Sequence, residues 1–327
     1  MKASRLISVL SSLLNQPWAT FIWGAPGIGK SSIVREVAKM HNLPVIDLRA
    51  SLLDPTDLRG IPVVKEGVST WCPPSFLPKE GEVPGILFLD EINAAPPLVQ
   101  AALYQLILDR RVGEYVLPDG WKIIAAGNRR EDRAVTFRLS SALANRFIHL
   151  TLEVDLNDWH DWAVLHNIHP LVIAFLQTTP RNLIETGTNA EAFATPRSWE
   201  MVSDVIGKFG SPAAASDVIP GIVGEGIAME FLSFVKNSSV QKTIEKILAN
   251  PETEPIPKNL GKLWVLVSFL AARADETEVR EATSKLLLRL PADFAVVVAR
   301  DVIKRYPAFV KDKGFLSFVA KHGDCFR

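Results

Sequence analysis

Between residues 18 and 152, apolar runs of strand length alternate with stretches whose apolar positions recur every three or four residues. The runs are 18–23 (Trp-Ala-Thr-Phe-Ile-Trp), 43–48 (Leu-Pro-Val-Ile-Asp-Leu), 85–90 (Gly-Ile-Leu-Phe-Leu-Asp), 121–126 (Trp-Lys-Ile-Ile-Ala-Ala) and 147–152. Their alternation with helical patterns predicts an α/β unit with a mostly parallel sheet. Beyond about Asp155 the strand signal fades. Helical periodicity then runs from Trp159 to the end, broken at Pro180, Pro196, Pro212, Pro220 and Pro251. The Pro-rich stretch from Asn250 to Lys258 reads as a connector. The pattern therefore divides the chain into an α/β core over 1–152, a helical part over 153–249 and a helical extension over 250–327. The most apolar stretch, Leu263 to Ala272, is too short to span a membrane and fits a buried helix.

Two interruptions of the core have hairpin character. Residues 61–72 turn at Lys65-Glu66-Gly67, and 112–123 run from Val112 to Leu117 and turn through Pro118-Asp119-Gly120.

The first strand leads into Gly24-Ala25-Pro26-Gly27-Ile28-Gly29-Lys30-Ser31, which satisfies the phosphate-loop pattern G-x-x-x-x-G-K-[ST]. Its glycines let backbone N–H groups face phosphate oxygens, Lys30 reaches the β- and γ-phosphates, and the Ser31 hydroxyl ligates magnesium. A helix predicted from Ser32 to His41 puts its N-terminus toward those phosphates, so 24–32, including Ser32, form the candidate nucleotide site. The strand 85–90 ends in Asp90 and Glu91. Beside a phosphate loop, Asp90 is the metal-side carboxylate and Glu91 the base for the attacking water; alone, the pair would read as acids at a helix start. Asn128 follows the strand 121–126 and reads either as a turn residue or as an amide that orients the water. Arg146 reads either as a solvated helix-terminal charge or as an arginine finger. Arg197 sits at a helix start, where the dipole disfavours a cation, which points to a specific ligand.

Composition narrows the function classes. The chain of 327 residues is 48% hydrophobic and 22% charged, and its 36 basic side chains equal its 36 acidic ones. It therefore lacks the basic excess of a nucleic-acid binder, although a local patch remains compatible with these numbers. Cys72 and Cys325 form no metal spacing and no disulfide framework, and the N-terminal stretch lacks a signal-peptide pattern, so a reduced cytoplasmic setting is expected.

Together these residues resemble the AAA+ ATPases, and the stretch Asp90-Glu91-Ile92-Asn93-Ala94-Ala95-Pro96-Pro97-Leu98-Val99-Gln100 is similar to the corresponding stretch of the MoxR-type branch. The resemblance covers about residues 15–205 with specific motifs. It implies a three-layer α/β/α P-loop core with strand order 5-1-4-3-2, followed by an all-helical lid and, here, a helical C-terminal extension. It implies ATP and magnesium as cofactors. It makes Asn128 sensor 1, Arg146 the arginine finger (with Arg138 and Arg133 as competitors) and Arg197 sensor 2. The two hairpins fall where the branch carries its insertions. An arginine finger acting on a neighbour implies a homo-oligomeric ring, usually a hexamer. The implied function is chaperone-like remodelling or activation of a client or adaptor protein, often one with a von Willebrand factor A domain. The alternative is a motor or loader on nucleic acid, which the weakly basic hairpin tips disfavour.

Overall fold

The strands, in chain order, are β1 (Ala19–Trp23), β2 (Val45–Arg49), β3 (Ile61–Lys65), β4 (Val68–Cys72), β5 (Ile86–Asp90), β6 (Arg111–Val112), β7 (Tyr115–Val116), β8 (Lys122–Gly127) and β9 (Phe147–Thr151). Five of them form one parallel sheet in the order β2-β5-β8-β1-β9. Numbered among themselves along the chain, these strands run 5-1-4-3-2, the order implied by the resemblance. The computed structural model describes residues 1–132, 137, 139–185, 190–238 and 241–322. Arg133, Arg138 and Cys325 lie outside them.

The sheet is apolar on both faces because its strands place successive side chains on opposite sides. Ile22, Ile86, Phe88, Ile124 and Ala126 pack with Leu6 and Leu10 of α1 (Ala3–Leu13) and Val34 and Val37 of α2 (Lys30–Met40). Phe21, Leu87, Leu89, Ile123 and Ala125 face the other way, toward Leu58 of α3 (Pro55–Arg59), Val99 and Leu103 of α4 (Pro97–Asp109) and Leu143 of α5 (Ser141–Ala144). This is a three-layer α/β/α core. One compact unit spans Met1–Asp155.

The first hairpin pairs β3 with β4 antiparallel and turns through Glu66 and Gly67, both at positive φ, as a two-residue hairpin loop requires. The second turns earlier than the sequence suggests. β6 pairs with β7 around Gly113-Glu114, and Pro118-Asp119-Gly120 instead leads into β8. Gly113 takes φ 56, the positive value that a tight turn at its first central position needs. Two-residue strands leave no alternation to read, so the stronger Pro-Asp-Gly signal misleads.

The remainder is helical and forms a second compact unit, Leu156–Glu185 with Ala190 onward. Its helices are α6 (Leu156–Leu165), α7 (Pro170–Thr178), α8 (Pro196–Phe209), α9 (Pro220–Val223), α10 (Glu225–Asn237), α11 (Gln241–Ala249), α12 (Leu260–Ala272), α13 (Thr277–Leu286), α14 (Ala292–Arg305) and α15 (Lys313–His322). Apolar on nearly every side, α12 is the buried centre of this unit, as its pattern predicts. Ala174 and Ile244, before the Pro-rich connector, share one core cluster with Leu266, Val298 and Phe318 after it. Residues 250–322 thus pack into the same unit as the helices before them rather than standing apart. Among the described residues, no helix is long and apolar enough to cross a membrane.

Buried polar groups tie this second unit together. His160 of α6 and Asp301 of α14 approach to 2.6 Å, and Gln177 of α7 meets the other imidazole nitrogen at 2.9 Å. His169 caps α7, its Nδ1 accepting from the Leu171 N–H at 3.2 Å, and burial pushes its imidazole down to about 4.

Candidate functional site

The first loop connects β1 to α2, and its last glycine sets the entry to the helix. Gly29 takes φ 96 as the N-cap of α2, a left-handed conformation that a Cβ would strain. The helix thus starts at Lys30, two residues before the predicted start, and its N-terminal N–H groups stand at the loop. Ala25 is buried beneath the loop, Pro26, Gly27 and Ile28 are half-buried, and Ser32 lies on the exposed side of the first turn.

Lys30 is only 8% exposed. Its ammonium donates to the carbonyls of Gly24 (2.7 Å) and Ala25 (2.8 Å) and to Asn128 Oδ1 (2.8 Å). An ammonium offers only donors, so the Asn128 atom facing it is the amide oxygen, and Nδ2 points the other way. The parallel β1–β8 pairing makes this contact, since it ends at Trp23 opposite Gly127, one residue short of each partner's functional segment.

The acidic pair lies one strand further along. Ser31 Oγ donates to Asp90 Oδ2 at 2.7 Å, bringing together the two side chains expected at magnesium. A hydroxyl and a carboxylate are hard oxygen ligands that suit magnesium, which commonly takes one or two protein oxygens and completes its shell with phosphates and water. Among the described residues, no group of three or more His, Cys, Asp or Glu forms an all-protein metal cage. The Ser31–Asp90 pair therefore fits a metal held jointly with a nucleotide.

Glu91 takes φ 55, ψ 32, a left-handed conformation that costs a non-glycine residue roughly 1–2 kcal/mol. Its N–H donates to Asp90 Oδ1 (2.9 Å), and its Oε2 accepts from Ser51 Oγ (2.6 Å). The strained backbone thus turns the Glu91 carboxylate away from Asp90 toward the end of β2. In the β2–β5 register Arg49 is opposite Asp90, so Ser51, just beyond β2, arrives beside Glu91.

Asn93 holds the neighbouring strand end. It is 2% exposed, its Nδ2 donates to the Asn128 carbonyl (2.7 Å) and its Oδ1 accepts from the Asn128 N–H (3.2 Å). A Cβ on Gly127 would come within 2.4 Å of Asn93 Oδ1, so this close approach requires glycine. Lys30 with Asn128, and Ser31 and Glu91 with Asp90, therefore form adjoining polar groups across three adjacent strand ends. Sequence reading missed Ser51 and the clamping role of Asn93. Asn93 was visible within the acidic motif, whereas only strand register brings Ser51 to Glu91.

Three further arginines are placed as follows. Arg146 is exposed just before β9, after the short turn of α5. Arg197 is exposed in the first turn of α8, in the second unit, after the Thr195–Ser198 capping box. Arg129, next to Asn128, makes two 3.0 Å bonds to Asp132, which occupies it within its own segment.

The hairpins adjoin one another. The Trp71 N–H of β4 donates to Glu114 at the turn of the second hairpin (3.2 Å), and the Tyr115 hydroxyl donates to the Pro78 carbonyl (2.8 Å). Burial pushes the Tyr115 phenol up to about 12. The first hairpin presents Ile61, Val64 and Val68 at 71%, 74% and 63% exposure.

Residues 19–147 match the family described as AAA domain (dynein-related subfamily). Protein MoxR of Paracoccus denitrificans is 26% identical over 216 residues, 61% of this chain and 62% of that protein. BssE of Thauera aromatica, named as a candidate chaperone, is 30% identical over 152 residues, 43% of this chain and 52% of that protein. Midasin of Giardia intestinalis is 29% identical over 155 residues, 44% of this chain and 3% of that much longer protein. The chain thus spans less than two thirds of each. By sequence it resembles the MoxR type of AAA+ ATPase.

Proposed function

We infer that this AAA+ chain of the MoxR type hydrolyses ATP and uses the cycle for chaperone-like remodelling or activation of a protein partner. The observation that carries the reading is the set of polar groups at the strand ends. It brings a buried lysine, a hydroxyl–carboxylate pair and a second, separately oriented carboxylate to the mouth of one phosphate loop.

In this reading the loop N–H groups and Lys30 bind the β- and γ-phosphates, with Gly24 to Ser32 forming the cradle. Ser31 and Asp90 would hold magnesium, which neutralises charge on the phosphate oxygens when bound. Glu91 accepts a proton from water as its oxygen bonds to the γ-phosphorus; the bond from that phosphorus to the bridging oxygen breaks, leaving ADP and inorganic phosphate. Asn128, clamped by Asn93, orients the water with its free amide group. Arg146 stabilises the transferring phosphoryl group from a neighbouring subunit, so the working assembly is a ring, a hexamer in the simplest case. Arg197 serves as a further phosphate ligand; the dipole at its helix start gives it no local stabilisation.

The chaperone-bearing name of one relative and the MoxR name of another support a protein client, and an adaptor with a von Willebrand factor A domain is the partner to seek first. The apolar surface of the first hairpin suits a protein segment better than a phosphodiester backbone, which calls for Lys and Arg.

The deciding test is ATPase turnover with measured ATP affinity. Lys30→Ala is expected to abolish both, and Glu91→Gln to lower turnover roughly a thousandfold while ATP still binds. Unchanged turnover in Glu91→Gln would reject the catalytic assignment.

A further inference from the structure

At the middle of β9 an exposed histidine makes a contact that joins the nucleotide-loop strand to the segment carrying Arg146. Trp23 is the last residue of β1, directly before Gly24 of the loop. Its indole Nε1–H donates to His149 Nδ1 on β9 at 2.9 Å. His149 Nε2 lies 2.8 Å from the carbonyl of Ala144, the last residue of α5. An indole N–H only donates and a carbonyl only accepts, so the two contacts fix the tautomer: Nδ1 accepts and Nε2 carries the hydrogen. The ring also sits in an aromatic cluster, its centroid 5.7 Å from Phe21, 6.0 Å from Trp23 in a stacked arrangement and 6.2 Å from Phe147.

We propose that His149 is the positioning residue for Arg146 and links it to the state of the subunit's own phosphate loop. The argument is one of connectivity. α5 is only four residues long, and from Ala144 the chain passes through Asn145 to Arg146, both exposed. Backbone bonds from Asn145 to Ser141 and from Arg146 to Leu143 close this turn locally, and Leu143 packs it against the sheet. The His149–Ala144 bond adds a directional polar tie at the end of the turn nearest Arg146. The other side of the same imidazole is held by the residue that enters the loop, so a shift of Trp23 when the loop closes on phosphate moves His149, and with it the carbonyl that anchors the Arg146 turn. A subunit's own nucleotide state thereby reaches the arginine it offers to its neighbour. The inference rests on the reading above that Arg146 acts on a neighbour's phosphates.

The test is a double-mutant cycle on the full chain, with steady-state ATPase as readout. His149→Phe keeps an aromatic ring in the cluster and removes both hydrogen bonds; Trp23→Phe removes only the indole donor. Arg146→Ala is expected to lower kcat about a hundredfold or more, and His149→Phe about tenfold, with KM for ATP nearly unchanged. His149→Phe should add nothing in the Arg146→Ala background, because it acts only through that arginine. Trp23→Phe should change kcat in the same direction by less. A silent His149→Phe, or one that lowers kcat further on top of Arg146→Ala, overturns the proposal while leaving the role of Arg146 intact. An unaltered kcat in Arg146→Ala overturns the arginine reading itself, and this inference with it.

Discussion

The two units use buried polar groups for different ends. In the α/β unit they gather where strands stop: Lys30 and Asn93 each bond Asn128 across adjacent strand ends, and Ser31, Ser51, Asp90 and Glu91 lie at those ends too. In the helical unit they cross between helix sides, as His160, Asp301 and Gln177 do. The difference follows from the elements. A parallel sheet satisfies its own backbone and ends every strand on one edge at the same level, so side chains just past those ends converge around one loop. Helices satisfy themselves internally and meet side by side, so a polar pair between them acts as a pin. A change to these buried polar groups in the first unit should therefore show mainly in turnover, and one in the second mainly in stability.

The sharpest way to break this comparison is His160→Phe. It removes the 2.6 Å partner of the buried Asp301 carboxylate and leaves it Arg300 at 3.7 Å, and the loss of a buried partner of this kind costs about 3–5 kcal/mol. Chemical denaturation of the helical unit should register it; an unchanged midpoint would mean the pin carries nothing. Next comes acid. With the His169 imidazole lowered to about 4 in the folded chain, the unfolded chain binds the proton first as pH falls. Its contribution is intact above about pH 6.5 and is lost progressively as pH drops toward 4, by roughly 3 kcal/mol in all. His169→Asn keeps a good helix cap and should flatten that acid limb in denaturation measured across pH. An acid limb as steep as in the parent chain would place the sensitivity elsewhere.

In the α/β unit, Asn93→Ala strips partners from both backbone groups of Asn128. We expect about 2 kcal/mol of lost stability and a fall of roughly tenfold or more in kcat, the kinetic effect being the larger signal. A stability loss with normal kcat would make Asn93 a mere structural pin and erase the contrast between the units. The smallest expected effect is Ser51→Ala, which frees one Glu91 oxygen. A several-fold change in kcat with stability altered by about 1 kcal/mol or less would fit a residue that only orients the carboxylate.

Much of this is legible in the sequence alone. The five sheet strands read correctly to within two residues because double-faced burial writes them as unbroken apolar runs. The phosphate loop, Asp90, Glu91 and Asn128 were legible because local sequence puts each at the end of such a run. The second hairpin was misplaced because two-residue strands carry no period. Ser51 was invisible because nothing within its own segment concerns Glu91, 40 residues away.

The sequence by itself determined the alternation of strands and helices in the core, the helical character of the described chain beyond Asp155 and the candidate residues at each strand end, since these depend on periodicity and on glycines and charges within a few residues. The family resemblance implied which strands are neighbours; tertiary structure decided their register and the side-chain contacts across their ends. That placed Asn128 on Lys30, Ser51 on Glu91 and His149 between Trp23 and Ala144, and it drew the helices on both sides of the Pro-rich connector into one core. These pairings span long stretches of chain, and local propensity carries no information about partners so far apart. Strand order and side-chain packing carry it instead.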